Sequence, residues 1–328
     1  MKWKLVKYLT VLIILLSCSK EDTPSSTQYI IASEANGISN LLIYSAGSGE
    51  ISEIELKETI GTAKILDILL VPKGLFVILT NGIQLLNPLD WSLVNSALHE
   101  FPDPSYIAYS KGKIYAAINE NGSSYLRTYD ENTLDLVEDQ LIGPVQVYAI
   151  KVVKNRIFIS YDMKILVLDA DQYGKVGEME LNNICTDLLV NSQNNILVYY
   201  ENRCNIINNS ESRITNFNLP GAKPLSTTSS IPSVALDRET DIIYYFQTQS
   251  GNSQLVLTSF DLRKISPMGI SPNYYAGEGI YFDQKSKHIL LAEKIGTLGK
   301  VTVIDVNGEL IESIDIPGKP VRIVSKFY

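Results

Sequence analysis

Few residues in this chain are equipped for bond-making chemistry. His99 and His288 are its only histidines, so a metal centre built from several imidazoles is out of reach and no His-Glu-x-x-His motif occurs. There is no Gly-x-Ser-x-Gly elbow, phosphate-binding loop or dinucleotide fingerprint, and a serine nucleophile would lack a matching histidine. His288 follows Lys285-Ser286-Lys287 and reads as a solvated turn residue. Asp169-Ala170-Asp171-Gln172-Tyr173-Gly174, with Glu180 in the twelfth position, imitates a calcium-binding EF-hand loop. Tyr173 stands where a ligand is needed, however, and strand-like segments replace the flanking helices, so a hairpin turn is the better account. No catalytic residue, metal site or cofactor is expected.

One cysteine does carry chemistry. Lys2, Lys4 and Lys7 precede the apolar run from Tyr8 to Leu16, which is far shorter than the ~20 residues a spanning helix needs. The run ends in Leu15-Leu16-Ser17-Cys18, which resembles a bacterial lipobox. The resemblance implies a signal peptide over residues 1–17, cleavage before Cys18 and acylation of that residue, with a lipidated tether over 18–27. Several acyl chains on one residue give the stable anchoring a single chain does not. Ser19-Lys20-Glu21-Asp22 resembles the export signal that directs lipoproteins to the outer face of the outer membrane in Bacteroidota. The expected partner at this end is therefore the membrane, through the N-terminal lipid.

Cleavage would remove three lysines and no acid, moving the formal net charge from −8 to −11. An acidic chain without basic runs argues against nucleic acid, whose recognition needs clustered Lys and Arg. Two further cysteines remain, Cys185 and Cys204. An exported chain can bond them. They fall on what read as second-neighbour strands, ~9.5 Å apart, which is wide for a disulfide. A bridge and two free thiols both stay open.

The elements that must position any binding residue repeat along the chain. A polar residue closes an apolar strand at Ser45, Asn87, Asp130, Asp169, Asn208, Asp261 and Asp305. The steps are 42, 43, 39, 39, 53 and 44 residues, a period of about 43. Each copy holds an earlier strand, such as Leu75–Leu79, Lys113–Ala117, Arg156–Ile159 or His288–Leu291, preceded by a tight polar turn and another strand. Four short strands in such a period make a β-propeller blade. The N-terminus opens with three strands only, and Val321 to Phe327 is an apolar strand left over at the other end. The fold expected is all-β, a single seven-bladed β-propeller over residues 28–328. Its ring is closed by the C-terminal strand joining the N-terminal blade, which leaves no open sheet edge.

Topology then selects a face. Turns between first and second strands are short and polar, whereas the opposite face carries the longer, more varied connections, where binding residues tend to sit. That loop face gathers Tyr106, Tyr148, Tyr161, Tyr200, Tyr274 and Tyr275, with Glu201, Glu278, Glu293 and Arg322 nearby. Tyrosine offers flat apolar area plus a hydroxyl, suited to a glycan, another small molecule or a protein partner. Tyrosine is also a common cross-strand packing residue, so each of these also has an ordinary structural reading.

The stretches Phe76-Val77-Ile78-Leu79-Thr80-Asn81 and Val301-Thr302-Val303-Ile304-Asp305, with Ile316-Pro317-Gly318-Lys319-Pro320, resemble the YVTN repeats of YncE-like propellers. The match is degenerate: Ser45, Asn87 and Asn208 replace the usual Asp, and only the last copy ends in a clear Gly-x-Pro. Among lipoproteins, the chain resembles Bacteroidota surface propellers associated with TonB-dependent transporters, one family of which captures cobalamin. The resemblance implies a monomeric outer-membrane propeller facing the cell exterior, engaged in nutrient capture with such a transporter. A propeller enzyme of the envelope, of lyase or lactonase type, and a purely structural assembly module are the alternatives, since the fold hosts all three.

Overall fold

The computed structural model describes residues 27–54, 56, 63–181, 183–185, 187–200, 203–208, 213–218, 234–249, 252–259, 265–267 and 279–327. The cleavage, lipidation and export expectations, together with Glu201, Tyr274, Tyr275 and Glu278, lie outside these residues.

Seven four-stranded antiparallel sheets follow one another along the chain. Six are built in chain order from the inside out, and their innermost strands are Ile65–Val71, Ser105–Ser110, Val147–Val153, Asp187–Val190, Val234–Asp237 and Gly279–Phe282. The first blade draws on both ends of the chain: Lys319–Phe327 is its inner strand, followed by Thr27–Ala35, Ile38–Ser45 and Glu50–Ile54. Innermost strands of successive blades touch one another from blade 1 to blade 7 around a central axis, and at the seam the inner strand of blade 1 touches the second and third strands of blade 7. The protein is a seven-bladed β-propeller. The closing strand starts at Lys319, two residues before the apolar pattern that announces it.

Residue pattern explains each layer. The second strand of blade 2, Gly74–Leu79, is buried at every position, because adjacent blades cover both of its faces. The outermost strand Leu93–Leu98 alternates half-buried and exposed residues, as a rim strand with one wet face should. In Thr27–Ala35, Ile30 and Ala32 pack with Ile68, Leu75 and Val77 of blade 2. Tyr29 and Ile31 turn the other way, onto Leu290, Ala292 and Val301 of blade 7. Period-two alternation thus makes one strand serve two interblade cores, and the seam is packed like the other junctions.

The repeating polar residue acts as a turn staple. Asp130 Oδ1 accepts the backbone N–H groups of Asn132 (2.7 Å) and Thr133 (3.0 Å), and Asp305 Oδ1 accepts those of Asn307 (2.9 Å) and Glu309 (2.8 Å). Asp169 does the same for Asp171 and Gln172, at 2.8 and 2.9 Å, so the EF-hand imitation is a hairpin turn. Glu180 pairs with Lys164 at 2.9 Å. Amide donation to these carboxylates holds the pKa of Asp130 and Asp169 below the usual aspartate value.

Two side-chain expectations are sharpened. His288 is half-buried rather than solvated, its Nδ1 lying 3.0 Å from the Tyr29 hydroxyl across the seam. Tyr29 needs a polar partner there because its ring is fully buried, so the seam, not solvent, claims the imidazole. His99 donates from Nε2 to the Leu134 carbonyl at 2.7 Å and packs on Phe101 and Tyr129. Cys185 is a buried free thiol, its pKa pushed up to about 12 by burial, so it forms no bridge with Cys204.

The Gly-Lys-Pro step has a steric cause. Gly318 pivots the chain from the outermost strand of blade 7, Leu310–Pro317, to the innermost strand of blade 1. Its φ is +74°, and a Cβ there would meet the Glu34 carbonyl oxygen at 2.2 Å and Ala35 Cβ at 2.7 Å. A left-handed L-residue costs about 1–2 kcal/mol before any clash. Gly318→Ala is expected to destabilise the protein by more than about 2 kcal/mol in urea unfolding, since backbone must also move; a variant matching the parent would contradict the pivot.

Candidate functional site

The loop-face end of the channel is shaped by three β-bulges. On the innermost strands of blades 1, 2 and 4, register skips one residue near that end: Val321, Leu66 and Tyr148 are the extra residues. Bulges of this kind re-aim neighbouring side chains. Arg322 and Asp67 are each the first residue beyond their bulge, and they meet across the junction of blades 1 and 2. Arg322 Nε lies 2.7 Å from Asp67 Oδ1, and a terminal guanidinium nitrogen lies 3.2 Å from Oδ2. The pair is bidentate. The Asp67 side chain is 5% exposed and that of Arg322 27%. Burial opposes the charge on Arg322, but the facing Asp67 carboxylate raises its pKa above the ordinary arginine value.

Tyr106 and Tyr148 lie at the same end of blades 3 and 4. Each is the second residue of an innermost strand, in blades 3 and 4, and each is half-buried. The Tyr106 phenol is pushed up to about 12 by burial, then by the nearby Tyr148 hydroxyl, Asp103 and Asp187. Asp187 opens the innermost strand of blade 5. Tyr148, presented by its bulge, donates to Gln146 Oε1 at 3.3 Å. The channel mouth therefore combines two tyrosine rings, a clamped Arg–Asp pair and a further carboxylate. Such a set can stack on a flat group and hydrogen-bond its edge.

Of the residues that the repeat places on this face, Tyr106, Tyr148 and Arg322 all lie near the loop-face ends of innermost strands, Tyr106 also packing against the core between blades 3 and 4. Tyr161 does not join them. It packs in the core between blades 3 and 4 and lines a cleft of about 310 Å³ with Leu141, Pro144, Lys175 and Glu178. Its pKa is pushed up to about 12, first by burial and then by the hydrogen bond and charge of Glu178. Glu293 is buried near the end of a blade-7 strand, opposite Lys300 in register. Tyr200 ends the second strand of blade 5, and its side chain lies outside the described residues. Sequence reasoning missed Asp67 and Asp187, whose only signal is a charged residue inside or at the start of an apolar inner strand. Among the described residues no three His, Cys, Asp or Glu gather to hold a metal ion.

No family model and no curated protein matches the chain. Solved structures do. A candidate 6-phosphogluconolactonase of Bacteroides fragilis superposes with a TM-score of 0.71 at 11% identity, covering 94% of this chain and 100% of that one. A Lactobacillus plantarum protein gives 0.68 at 9% identity over 92% and 99% of the two chains. Apo AztD from Citrobacter koseri gives 0.63 at 12% identity over 92% and 98%. These similarities define a propeller protein; at such identities they speak to fold alone.

Proposed function

We propose that the protein is a surface-exposed, lipid-anchored propeller that binds a ligand or protein partner at the loop-face mouth of its channel, in nutrient capture with a TonB-dependent transporter. The observation that carries this reading is the opposition of anchor and mouth. The described chain begins at Thr27 on the turn face, where the Thr27 carbonyl accepts the Ala46 N–H at 2.9 Å. Tyr106, Tyr148 and Asp187 lie at the other end of their blades. Nine residues from Cys18 to Ser26 reach at most about 30 Å. An acylated Cys18 would hold the turn face toward the membrane and leave the tyrosine mouth facing outward. Aromatic surface around a charged pair favours recognition over chemistry, because the Asp67 carboxylate is already committed to Arg322.

Affinity purification of tagged full-length protein from solubilised outer membrane tests the reading. A TonB-dependent transporter should co-elute with the wild-type protein, and Cys18→Ser should move the propeller into the soluble fraction. Tyr148→Ala should reduce capture about tenfold, as loss of an aromatic contact at an interface does, with the melting temperature nearly unchanged. Absence of the transporter, or loss of capture only in step with loss of stability, would overturn it.

A further inference from the structure

The junction between blades 3 and 4 is not filled as its neighbour is. Between blades 2 and 3, Phe101 packs on Tyr129, and Arg127 reaches back to the Glu100 carbonyl at 3.3 Å. One repeat further on, by the steps of 43 and 39 residues, the positions of Phe101, Arg127 and Tyr129 are taken by Pro144, Leu166 and Leu168. Period-two alternation turns Leu166 and Leu168 toward blade 3, while Ile165 and Val167 pack toward blade 5. Three bulky side chains have thus given way to shorter ones, and all three replacements line the cleft of about 310 Å³. Open space of this kind forgoes packing contacts that a guest of the right shape restores.

The cleft has apolar walls and a polar lip. Leu141, Ile142, Leu166 and Leu168 supply the walls, and Lys175 and Glu178 the lip. The Glu178 carboxylate is already committed, accepting from Lys175 Nζ at 2.7 Å and Lys164 Nζ at 2.9 Å. Hydrogen bonds from Lys175, Lys164 and Tyr161 hold its pKa down at about 2. Lys164 also pairs with Glu180 at 2.9 Å, so two ammonium groups balance two carboxylates at this lip. Lys175 still has donors to offer, because an ammonium carries three N–H groups and its side chain is 58% exposed.

We propose that the cleft between blades 3 and 4 binds a small uncharged amphipathic molecule, an alcohol, phenol or ketone whose apolar body lies on Leu166 and Leu168 and whose oxygen accepts a hydrogen bond from Lys175. A lip of balanced charge gives little return for desolvating an ionic head group. A volume of about 310 Å³ is at the small end for ligand pockets. Since a cavity of about 150 Å³ takes up benzene, this one suits a guest of about a dozen non-hydrogen atoms. The cleft opens on the perimeter, between the outermost strands Leu136–Gly143 and Lys175–Glu180. It is therefore separate from the channel mouth and does not depend on a transporter.

Ligand-detected NMR titration of the full mature chain tests the proposal, with phenylbutanol as the probe. Phenylbutyrate presents the same body with a charged head, and glycerol presents hydroxyls without the body. Phenylbutanol should bind, phenylbutyrate about tenfold more weakly, and glycerol not at all. Lys175→Met should weaken phenylbutanol binding about tenfold, the scale of a lost hydrogen bond to a charged group, while Lys175→Arg restores most of it. Leu141→Asp, at a wall residue that is 58% exposed, should weaken binding as much without lowering the melting temperature, which separates lost binding from lost folding. No binding of phenylbutanol, or equal affinity in the parent, Lys175→Met and Leu141→Asp, would overturn the site. Phenylbutyrate binding more tightly than phenylbutanol would overturn the assignment to an uncharged ligand.

Discussion

Deleting Pro320–Tyr328 is expected to lower the melting temperature by about 10 °C or more and to promote aggregation. The removed segment supplies the inner strand of blade 1 from Pro320 onward, in register with Thr27–Ser33, Ile31 opposite Ile323 and Ala32 opposite Arg322. Val321 and Ile323 are 6% and 2% exposed, and burying two such side chains contributes about 3–6 kcal/mol. The seam network goes with them. Ser325 Oγ donates to Asp283 Oδ1 at 3.0 Å, and the Tyr281 hydroxyl lies 3.2 Å from Ser325 Oγ. What remains is worse than a missing strand, because the Thr27–Ala35 edge is left unpaired and apolar, a template for intermolecular pairing. Circular dichroism melts with size-exclusion chromatography would check both effects. A truncated chain that melts with the parent and elutes as a monomer would refute closure by this strand.

That closure was legible in the sequence because it rests on counting. Asp130, Asp169 and Asp305 recur because each staples a turn with its own carboxylate, so turn chemistry imprints the period on residue type. The Gly318-Lys319-Pro320 step was visible for the same reason, since a left-handed pivot beside Glu34 admits little but glycine. The site was only half legible. Arg322 stands out as a charge inside an apolar strand, but its partner lies 255 residues away and no local pattern joins them. Bulges hid the rest: one extra residue at Leu66, Tyr148 or Val321 shifts which side chains face the axis without altering composition or alternation. Tyr161 stands at the loop-face end of its strand, yet the interblade core and Glu178 claim its ring.

The Arg322–Asp67 pair joins the closing strand to the blade beside it, so Arg322→Met should cost stability out of proportion to its partial exposure. Removing one member of a buried ion pair typically costs 3–5 kcal/mol, because the other charge is left desolvated. Asp67 is 5% exposed at its side chain and, among the described residues, would keep only the Ile68 amide, at 2.8 Å, as a protein donor. Solvent reaching the Arg322 end, with 27% exposure, screens part of the interaction, which places the expected loss at about 2–4 kcal/mol. Asp67→Leu combined with Arg322→Met should recover most of that loss, since the orphaned carboxylate is gone and both replacements fill apolar space. Urea unfolding would report this as a lower midpoint at constant slope for the single variant and a near-parental midpoint for the double. A single variant as stable as the parent would mean that the clasp contributes nothing to the ring. A double variant as weak as the sum of the singles would mean that Asp67 and Arg322 act apart, and the bulges that bring them together would need another explanation.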